Sequence, residues 1–544
     1  MNVKLSGPLM TTFTLITCIA TTLARGQPCL TAESEELVAS DAAIRDGFSE
    51  VAIHGNTAVV GAFNQDNPGN KMGYGKAYVY EFDGVFWTQV AELTPSDPEV
   101  DKEFGSTVDI DGETIVIGAA QDGGGSANGP GAAYVFVRPI GGWTSMTETA
   151  KLTASDAAAA DVFARVAING DIIVVGALNN DDAGNNSGSA YVFEKPTGGW
   201  ATSTETQKLV ASDAAAEDRF GREVAIDGDT LVIGADQNNT GPGVAYVFQN
   251  VMGTWTEVAK LIGSDSANED RFGLAVDIKG ATICVGAFRH DGINVNAGAA
   301  YVYEMPVGGW DSVASPISET KKLVVSDAQA GENVGLSVAV ASDQNSIFVG
   351  AYAEESAGGS GRAFGFLRPL GGWSAAGSPQ SESVELQPSD RMSDDRIGTS
   401  IDVDERYVLV GASRHSHLGI NQSGGAWVFS FLTDCDQDGE FDACEAFADC
   451  QPNGIPDACE LEGNDCNNNG TPDDCELDTD RDGIPDDCDE DDDNDGVPDV
   501  ADVCPVNAVG LPVDCDGRAL RDCNGDCEVN ALDLQCIVNE LLGN

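Results

Sequence analysis

The chain has 544 residues, with 89 acidic against 28 basic side chains and a formal net charge of −61. It is too long for one small domain and long enough to bury a large core. A polyanion of this kind excludes nucleic acid and anionic membrane surfaces as natural partners and favours cations.

At the N-terminus, Lys4 precedes the apolar, Thr-rich run PLMTTFTLITCIATTLA, which ends in small residues near Ala24. This pattern over residues 1–26 reads as a secretory signal peptide. The run is short and Thr-diluted for a retained membrane anchor. Thr17 is a poor neighbour for a lipid-modified Cys18. No later segment is long and apolar enough to span a bilayer, so no membrane span is expected once the signal is removed.

Residues 27–432 are filled by one repeated sentence. The stretches RFGREVAIDGDTLVIGADQNNTGPGVAYVFQ (219–249) and EFGSTVDIDGETIVIGAAQDGGGSANGPGAAYVFV (103–137) are variants of it. A Gly-Ala pair recurs at Gly61, Gly118, Gly176, Gly234, Gly286, Gly350 and Gly411, at spacings of 52–64 residues. A Ser-Asp pair recurs at Asp41, Asp97, Asp156, Asp213, Asp265, Asp327 and Asp390. Each unit predicts four strands. The first is joined to the second by an Asp-Gly or Asn-Gly turn, a strong hairpin signal. The second, of TIVIGA type, is nearly all apolar and hence buried on both faces. A Gly/Asn-rich loop leads to the third, AYVF, and a Gly-Gly-Trp turn to the fourth, which ends in Lys-Leu or Glu-Leu. Seven four-stranded units predict an all-β, seven-bladed β-propeller. The last unit ends at AWVFSFL (426–432) without a fourth strand, while EELVASD (35–41) precedes the first unit as an orphan. Residues 33–39 are therefore expected to form the outer strand of blade seven.

The words Phe104-Gly105, Phe220-Gly221 and Phe272-Gly273, each followed by Gly-Ala, resemble FG-GAP repeats, the units of the integrin α-chain propeller. That resemblance implies a secreted or cell-surface protein. The departures also count. The calcium-binding integrin blades place an acidic DxDxDG loop between the two words, and here the interval is only a tight turn. Ala164 replaces the glycine in one copy, and no proline follows any Gly-Ala. Integrin-type calcium sites are not carried into this propeller.

Residues 434–544 hold 34 Asp/Glu and 3 Arg, a net of −31. Twelve of the fifteen cysteines lie there, between Cys435 and Cys536. Regularly spaced cysteines in a core-poor segment point to disulfides and an oxidising compartment. Within residues 433–505 a twelve-residue grammar repeats: oxygen-bearing side chains at positions 1, 3, 5, 9 and 12, with glycine at 6. The windows are Asp434, Asp436, Asp438, Asp442 and Glu445; Asp449, Gln451, Asn453, Asp457 and Glu460; and Asp465, Asn467, Asn469, Asp473 and Glu476. Two more follow: Asp478, Asp480, Asp482, Asp486 and Asp489; then Asp491, Asp493, Asp495, Asp499 and Asp502. Hard oxygens in this order predict Ca²⁺, which takes six to eight of them. The second and third windows carry fewer charges and should bind more weakly. Proline at position 8 (Pro456, Pro472, Pro485 and Pro498) argues against paired EF-hands. The run resembles thrombospondin type 3 repeats, which implies metal and disulfides in place of an apolar core. Spacing alone leaves the cysteine pairing open.

Residues 506–544 contain DCNGDCEVNALDLQCIVNELL, with Asp522, Asn524, Asp526, Asn530 and Asp533 at positions 1, 3, 5, 9 and 12. A helix carrying Leu534, Ile537, Val538, Leu541 and Leu542 can follow. This resembles one half of a type I dockerin and implies a cohesin-like partner.

No GxSxG, HExxH, P-loop or CxxC is present, and no catalytic residue is nominated. His415 and His417 are expected as a surface-loop pair, Trp143, Trp200, Trp310 and Trp373 as core or turn packing, and Cys284 as a buried free thiol. Three functions fit. One is a calcium-binding interaction or adhesion protein with an extracellular protein or glycan ligand on the propeller. The others are a propeller enzyme acting on extracellular polysaccharide and a structural envelope component.

Overall fold

Each repeat opens with two strands joined by a short turn, which an Asp-Gly or Asn-Gly pair favours in blades 2, 3 and 4. In the computed structural model, Phe104–Asp111 and Thr114–Ala119 flank such a turn, and Gly112 there has φ 53°, a conformation without cost for glycine. The structure describes residues 29–64, 74–99, 101–121, 129–352, 359–369, 371–375, 377–417, 420, 422–430, 461, 464–467, 471–478 and 484–489.

Seven antiparallel sheets of this kind follow one another as the blades of a propeller. Blade 1 comprises Phe48–His54, Thr57–Ala62, Lys76–Phe82 and Trp87–Leu93. Blade 2 adds Ala132–Val137 and Ala150–Leu152 to the first pair named above. Blade 3 is Phe163–Asn169, Ile172–Ala177, Ser189–Glu194 and Gln207–Leu209. Blade 4 is Phe220–Asp227, Thr230–Ala235, Val244–Val251 and Thr254–Ile262. Blade 5 is Phe272–Lys279, Thr282–Ala287, Ala299–Glu304 and Lys321–Val324. Blade 6 is Val334–Val340, Ser346–Ala351, Arg362–Leu367 and Val384–Gln387. Blade 7 has Ile397–Val403, Tyr407–Ala412 and Gly425–Ser430, and its outer strand comes from the other end of the chain, Glu35–Leu37. No α-helix occurs among the described residues.

The outer strand of blade 7 pairs Glu35 with Val428, Glu36 with Trp427 and Leu37 with Ala426. Leu37 is 1% exposed and packs with Phe48, Tyr78 and Val428. Just before it, Cys29–Ala32 runs parallel to Val384–Gln387 as a fifth strand on blade 6. The chain start thus engages two blades at once.

The recurring words have specific packing roles. The phenylalanine of each Phe-Gly word meets the tyrosine of its own third strand edge-on: Phe104 with Tyr134 and Phe220 with Tyr246, at 5.4 and 5.5 Å between centroids. Such pairs add about 0.5–1.5 kcal/mol beyond area burial. The glycine of each Gly-Ala word lies against the next blade. A Cβ on Gly118, Gly176 or Gly234 would overlap the carbonyl oxygen of Ala164, Gly221 or Gly273. Gly221 in turn has φ 84° at an irregularity where the first strand carries two extra residues between Phe220 and Glu223. Blade 3 has one residue fewer there, between Phe163 and Arg165. Ala164 accordingly escapes the positive φ, which is why that copy tolerates alanine.

The serine of each Ser-Asp word ties neighbouring outer strands together. The backbone N–H and Oγ of Ser155 both donate to Glu205, as those of Ser212 do to Glu257 and Ser264 to Glu319. The pattern returns at Ser96 with Glu148 and Ser326 with Glu382, and Gln89 serves Ser40. Ser389 closes the belt by donating to Glu33 at the chain start.

Candidate metal centre

Seven of the expected calcium ligands are among the described residues: Asp465, Asn467, Asp473 and Glu476 of the third window, and Asp478, Asp486 and Asp489 of the fourth. Asn469, Asp480 and Asp482, the windows opening at Asp434, Asp449 and Asp491, the Asp522 loop and the helix after it lie outside the described residues. So do residues 1–26.

The third window folds back on itself. Pro472 leads into a tight turn over Asp473–Cys475, closed by Cys475 N–H on Pro472 O at 2.8 Å. Asp473 N–H donates to Asn464 O, and its Oδ1 accepts from Cys466 N–H at 2.9 Å. This brings positions 3 and 12 together, with Asn467 Nδ2 at 3.2 Å from Glu476 Oε2. The side chains gathered are carboxylates and a carboxamide, the residue types that supply oxygen to Ca²⁺. In the fourth window, Cys488 N–H and Asp489 N–H both donate to Pro485 O, and Asp486 N–H to Leu477 O. A Cys466–Cys488 disulfide, with 6.2 Å between Cα atoms, joins position 2 of the third window to position 11 of the fourth. That answers a pairing the spacing left open.

Within the propeller, the aspartates of six of the seven Ser-Asp words meet a lysine or arginine. Tyr246 OH and Lys260 Nζ both reach Asp213 at 2.7 Å. Tyr301 and Lys322 reach Asp265, Tyr191 and Lys208 reach Asp156, and Tyr134 and Lys151 reach Asp97. Burial alone would raise Asp97, but hydrogen bonds from Lys102 and Lys151 hold it down at about 2. Lys102 is fully buried and bonds Asp97 at 2.6 Å.

Where the first strands line the axis, the carboxylates behave differently. Asp109 accepts from Ile168 N–H in the next blade and from Ile110 N–H, and Asp277 from Val340 and Ile278. Desolvation in the closed ring pushes Asp109 and Glu50 up to about 7 and Asp277 to about 6. Several of the first turns also latch the next blade: Asp227 accepts from Gly280 N–H at 2.7 Å, and Asn169 from Gly228 N–H at 3.1 Å.

The expected aromatic roles hold at the level of burial. Trp143 and Trp200 are 5% and 6% exposed, and Trp310 and Trp373 are fully buried. None presents an open face for stacking on a sugar. Cys284 is buried and free. The histidine pair departs from the expected surface loop: His415 is 1% exposed beneath Trp427. A cleft of about 470 Å³ opens beside blade 6, lined by Asp327, Glu332, Arg362, Arg391 and Met392. No helix among the described residues is long and apolar enough to cross a membrane.

A profile of the FG-GAP repeat matches residues 31–80, 87–136, 146–193, 203–248, 255–303 and 381–429. A thrombospondin type 3 repeat profile matches residues 477–509. No curated protein matches the chain. Among solved structures, a chain of one titled "Crystal Structure of Mitotic Checkpoint Complex" aligns at 11% identity and a TM-score of 0.45, covering 80% of this chain and 100% of that one.

Proposed function

The chain belongs to the FG-GAP repeat family, and from that premise we propose that it is a secreted or cell-surface calcium-binding interaction protein. FG-GAP and thrombospondin type 3 repeats are typical of extracellular proteins. The propeller serves as a platform for an extracellular protein or glycan, with the loops between second and third strands as the variable contact surface. The acidic segment serves as a stalk that Ca²⁺ stiffens, and the Asp522–Asp533 loop with its helix as a docking element for a cohesin-like partner.

The observation that carries the calcium reading is the meeting of positions 3 and 12 in the third window, Asn467 against Glu476. The fold-back of the loop places these two ligand positions in contact, the Asn467 amide N–H donating to the Glu476 carboxylate. Bound calcium would neutralise carboxylates that otherwise repel by about 1 kcal/mol per close pair even in water. Calorimetric titration of the full chain with Ca²⁺ tests this. Several sites in the range of about 10⁻⁴–10⁻³ M are expected, and heat indistinguishable from buffer rejects the reading. For the platform, a glycan array and a polysaccharide hydrolase screen decide. Glycosidic turnover would replace the interaction role by the enzymatic one.

A further inference from the structure

Six blades place a lysine or arginine at one position in the ring, and the seventh does not. The outer-strand residue facing the third-strand aromatic is Lys151, Lys208, Lys260 and Lys322 in blades 2 to 5. Blades 1 and 6 have glutamates there, Glu92 and Glu385, and supply the cation from the start of the third strand. Lys76 bonds Glu92 and Asp41, and Arg362 reaches Glu385 at 3.6 Å and Asp327 at 3.0 Å. Blade 7 also has a glutamate, Glu36, opposite Trp427. The start of its third strand is Gly425, which has nothing to offer. Trp427 also stands where blades 1 to 5 have the tyrosine whose hydroxyl reaches the aspartate. Among the described residues, no lysine or arginine reaches Glu36 or Asp390. What faces them is a pair of imidazoles.

Blade 5 shows which way the buried imidazole points its proton. His290 occupies the place of His415, and its Nδ1 lies 2.8 Å from Asp270. Its Nε2 lies 2.7 Å from Lys322 Nζ. An ammonium only donates, so His290 Nε2 accepts and Nδ1 carries the proton. In blade 7, His415 Nδ1 likewise meets Asp395, at 3.1 Å. Its Nε2 lone pair then faces Glu36, the residue in the place of Lys322. That Nε2 is buried and has no hydrogen-bond partner.

We propose that blade 7 replaces the missing side-chain cation with a divalent first-row transition metal ion of the zinc type. It is held by His415 Nε2, His417 Nδ1 and Glu36 Oε1, with Asp390 Oδ2 beside His415. His415 Nε2 lies 3.3 Å from Asp390 Oδ2 and 3.6 Å from Glu36 Oε1, and His417 Nδ1 lies 2.9 Å from Glu36 Oε1. Ligands at zinc bond lengths of about 2.0–2.2 Å in a tetrahedron stand roughly 3.3–3.6 Å apart. Glu36, His415 and His417 offer donor atoms that all lie within 4.8 Å of one another. Asp395 fixes the His415 tautomer from behind, as outer carboxylates do at zinc–histidine sites. Two imidazoles set the site apart from the oxygen-only windows that suit calcium. The ion would clasp the N-terminal strand to the last blade.

The test uses the full chain, stripped with chelator and then held in millimolar Ca²⁺ to fill the acidic windows. Zn²⁺ is titrated in, with Co²⁺ as a chromophoric probe. One zinc equivalent and a tetrahedral Co²⁺ spectrum are expected, with a thermal midpoint that rises with zinc. Glu36→Lys rebuilds the blade 5 arrangement. It should abolish the zinc equivalent while keeping the metal-free midpoint at or above that of the parent. His417→Ala, on the partly exposed loop, should weaken zinc at least tenfold, and it decides alone if Glu36→Lys does not fold. The proposal is overturned if the parent takes up no zinc equivalent, as it would if both imidazoles were simply protonated. It is equally overturned if the variants bind zinc like the parent.

Discussion

Deleting residues 27–41 should open the ring, and the size of the effect can be worked out from its contacts. Leu37 is buried, and losing such a side chain costs about 3 kcal/mol. Ser34 loses two hydrogen bonds to Val428 O, Trp87 N–H loses Glu35, and Tyr80 OH loses Val38 O. Tyr78 OH loses Asp41, and Ser389 loses both bonds to Glu33. At roughly 0.5–1 kcal/mol each, these bring the total to about 7–10 kcal/mol. That is comparable to the whole net stability of many domains. Unfolding entropy of about 2.1 cal/mol/K per residue, over roughly 400 residues, converts it into a fall of about 10 °C in Tm. All seven tryptophans lie in the propeller, so intrinsic fluorescence reports the ring without the acidic segment. Leu37→Ala alone should lower Tm by about 4 °C on the same arithmetic. An unchanged Tm for the deletion would refute the closure.

Other predictions follow from single contacts. Gly176→Ala drives a Cβ into the Gly221 carbonyl oxygen and should cost about 3 kcal/mol or prevent folding; a denaturation midpoint equal to the parent's would contradict it. Glu50, Asp109 and Asp277, raised to about 7, 7 and 6, hold protons in the folded state that the unfolded chain gives up near pH 4. Their stabilising contribution is therefore complete below pH 4 and is lost as pH rises through 6–7. Asp97, held down at about 2, contributes above its unfolded value near 4 and is lost as pH falls toward 2. The tryptophan-monitored Tm should peak near pH 4–5 and fall toward pH 8, and a maximum at pH 8 would contradict this. Cys284, fully buried with its thiol pushed up by desolvation, should resist thiol reagents until the ring unfolds; rapid labelling of the native protein would show the second strand of blade 5 to be accessible.

The blade number was legible because two short words recur with unequal but bounded spacing, and a missing strand at one end matched a surplus at the other. In blades 1 to 5 the glycine of the first turn gave the hairpin for a local reason, the positive φ that position demands. What the sequence did not display were contacts between residues about 50 positions apart that belong to adjacent blades. Ser155 with Glu205 and Lys208 with Asp156 are examples. Each partner alone looks like an ordinary surface residue. Cys29–Ala32 carried too little pattern to be assigned to blade 6. His415 read as a loop residue because HxH in a polar stretch says nothing about burial, which the packing of Trp427 decides. In the acidic segment the ligand grammar was visible residue by residue, but the Cys466–Cys488 pairing required coordinates.

The serine belt has a bearing on how such a ring can be cut and rejoined. Because the serines from Ser40 to Ser326 each reach a side chain one repeat further on, an amide at Gln89 and a carboxylate elsewhere, the exchangeable cassette is offset from the blade and straddles two of them. A graft made between whole blades would keep both halves of each latch only if the Ser-Asp word travels with the sheet that follows it. Lengthening or shortening the series by one such cassette leaves every interior junction chemically matched, and moves the burden to Glu33 and Ser389, the one latch whose halves come from opposite ends of the chain.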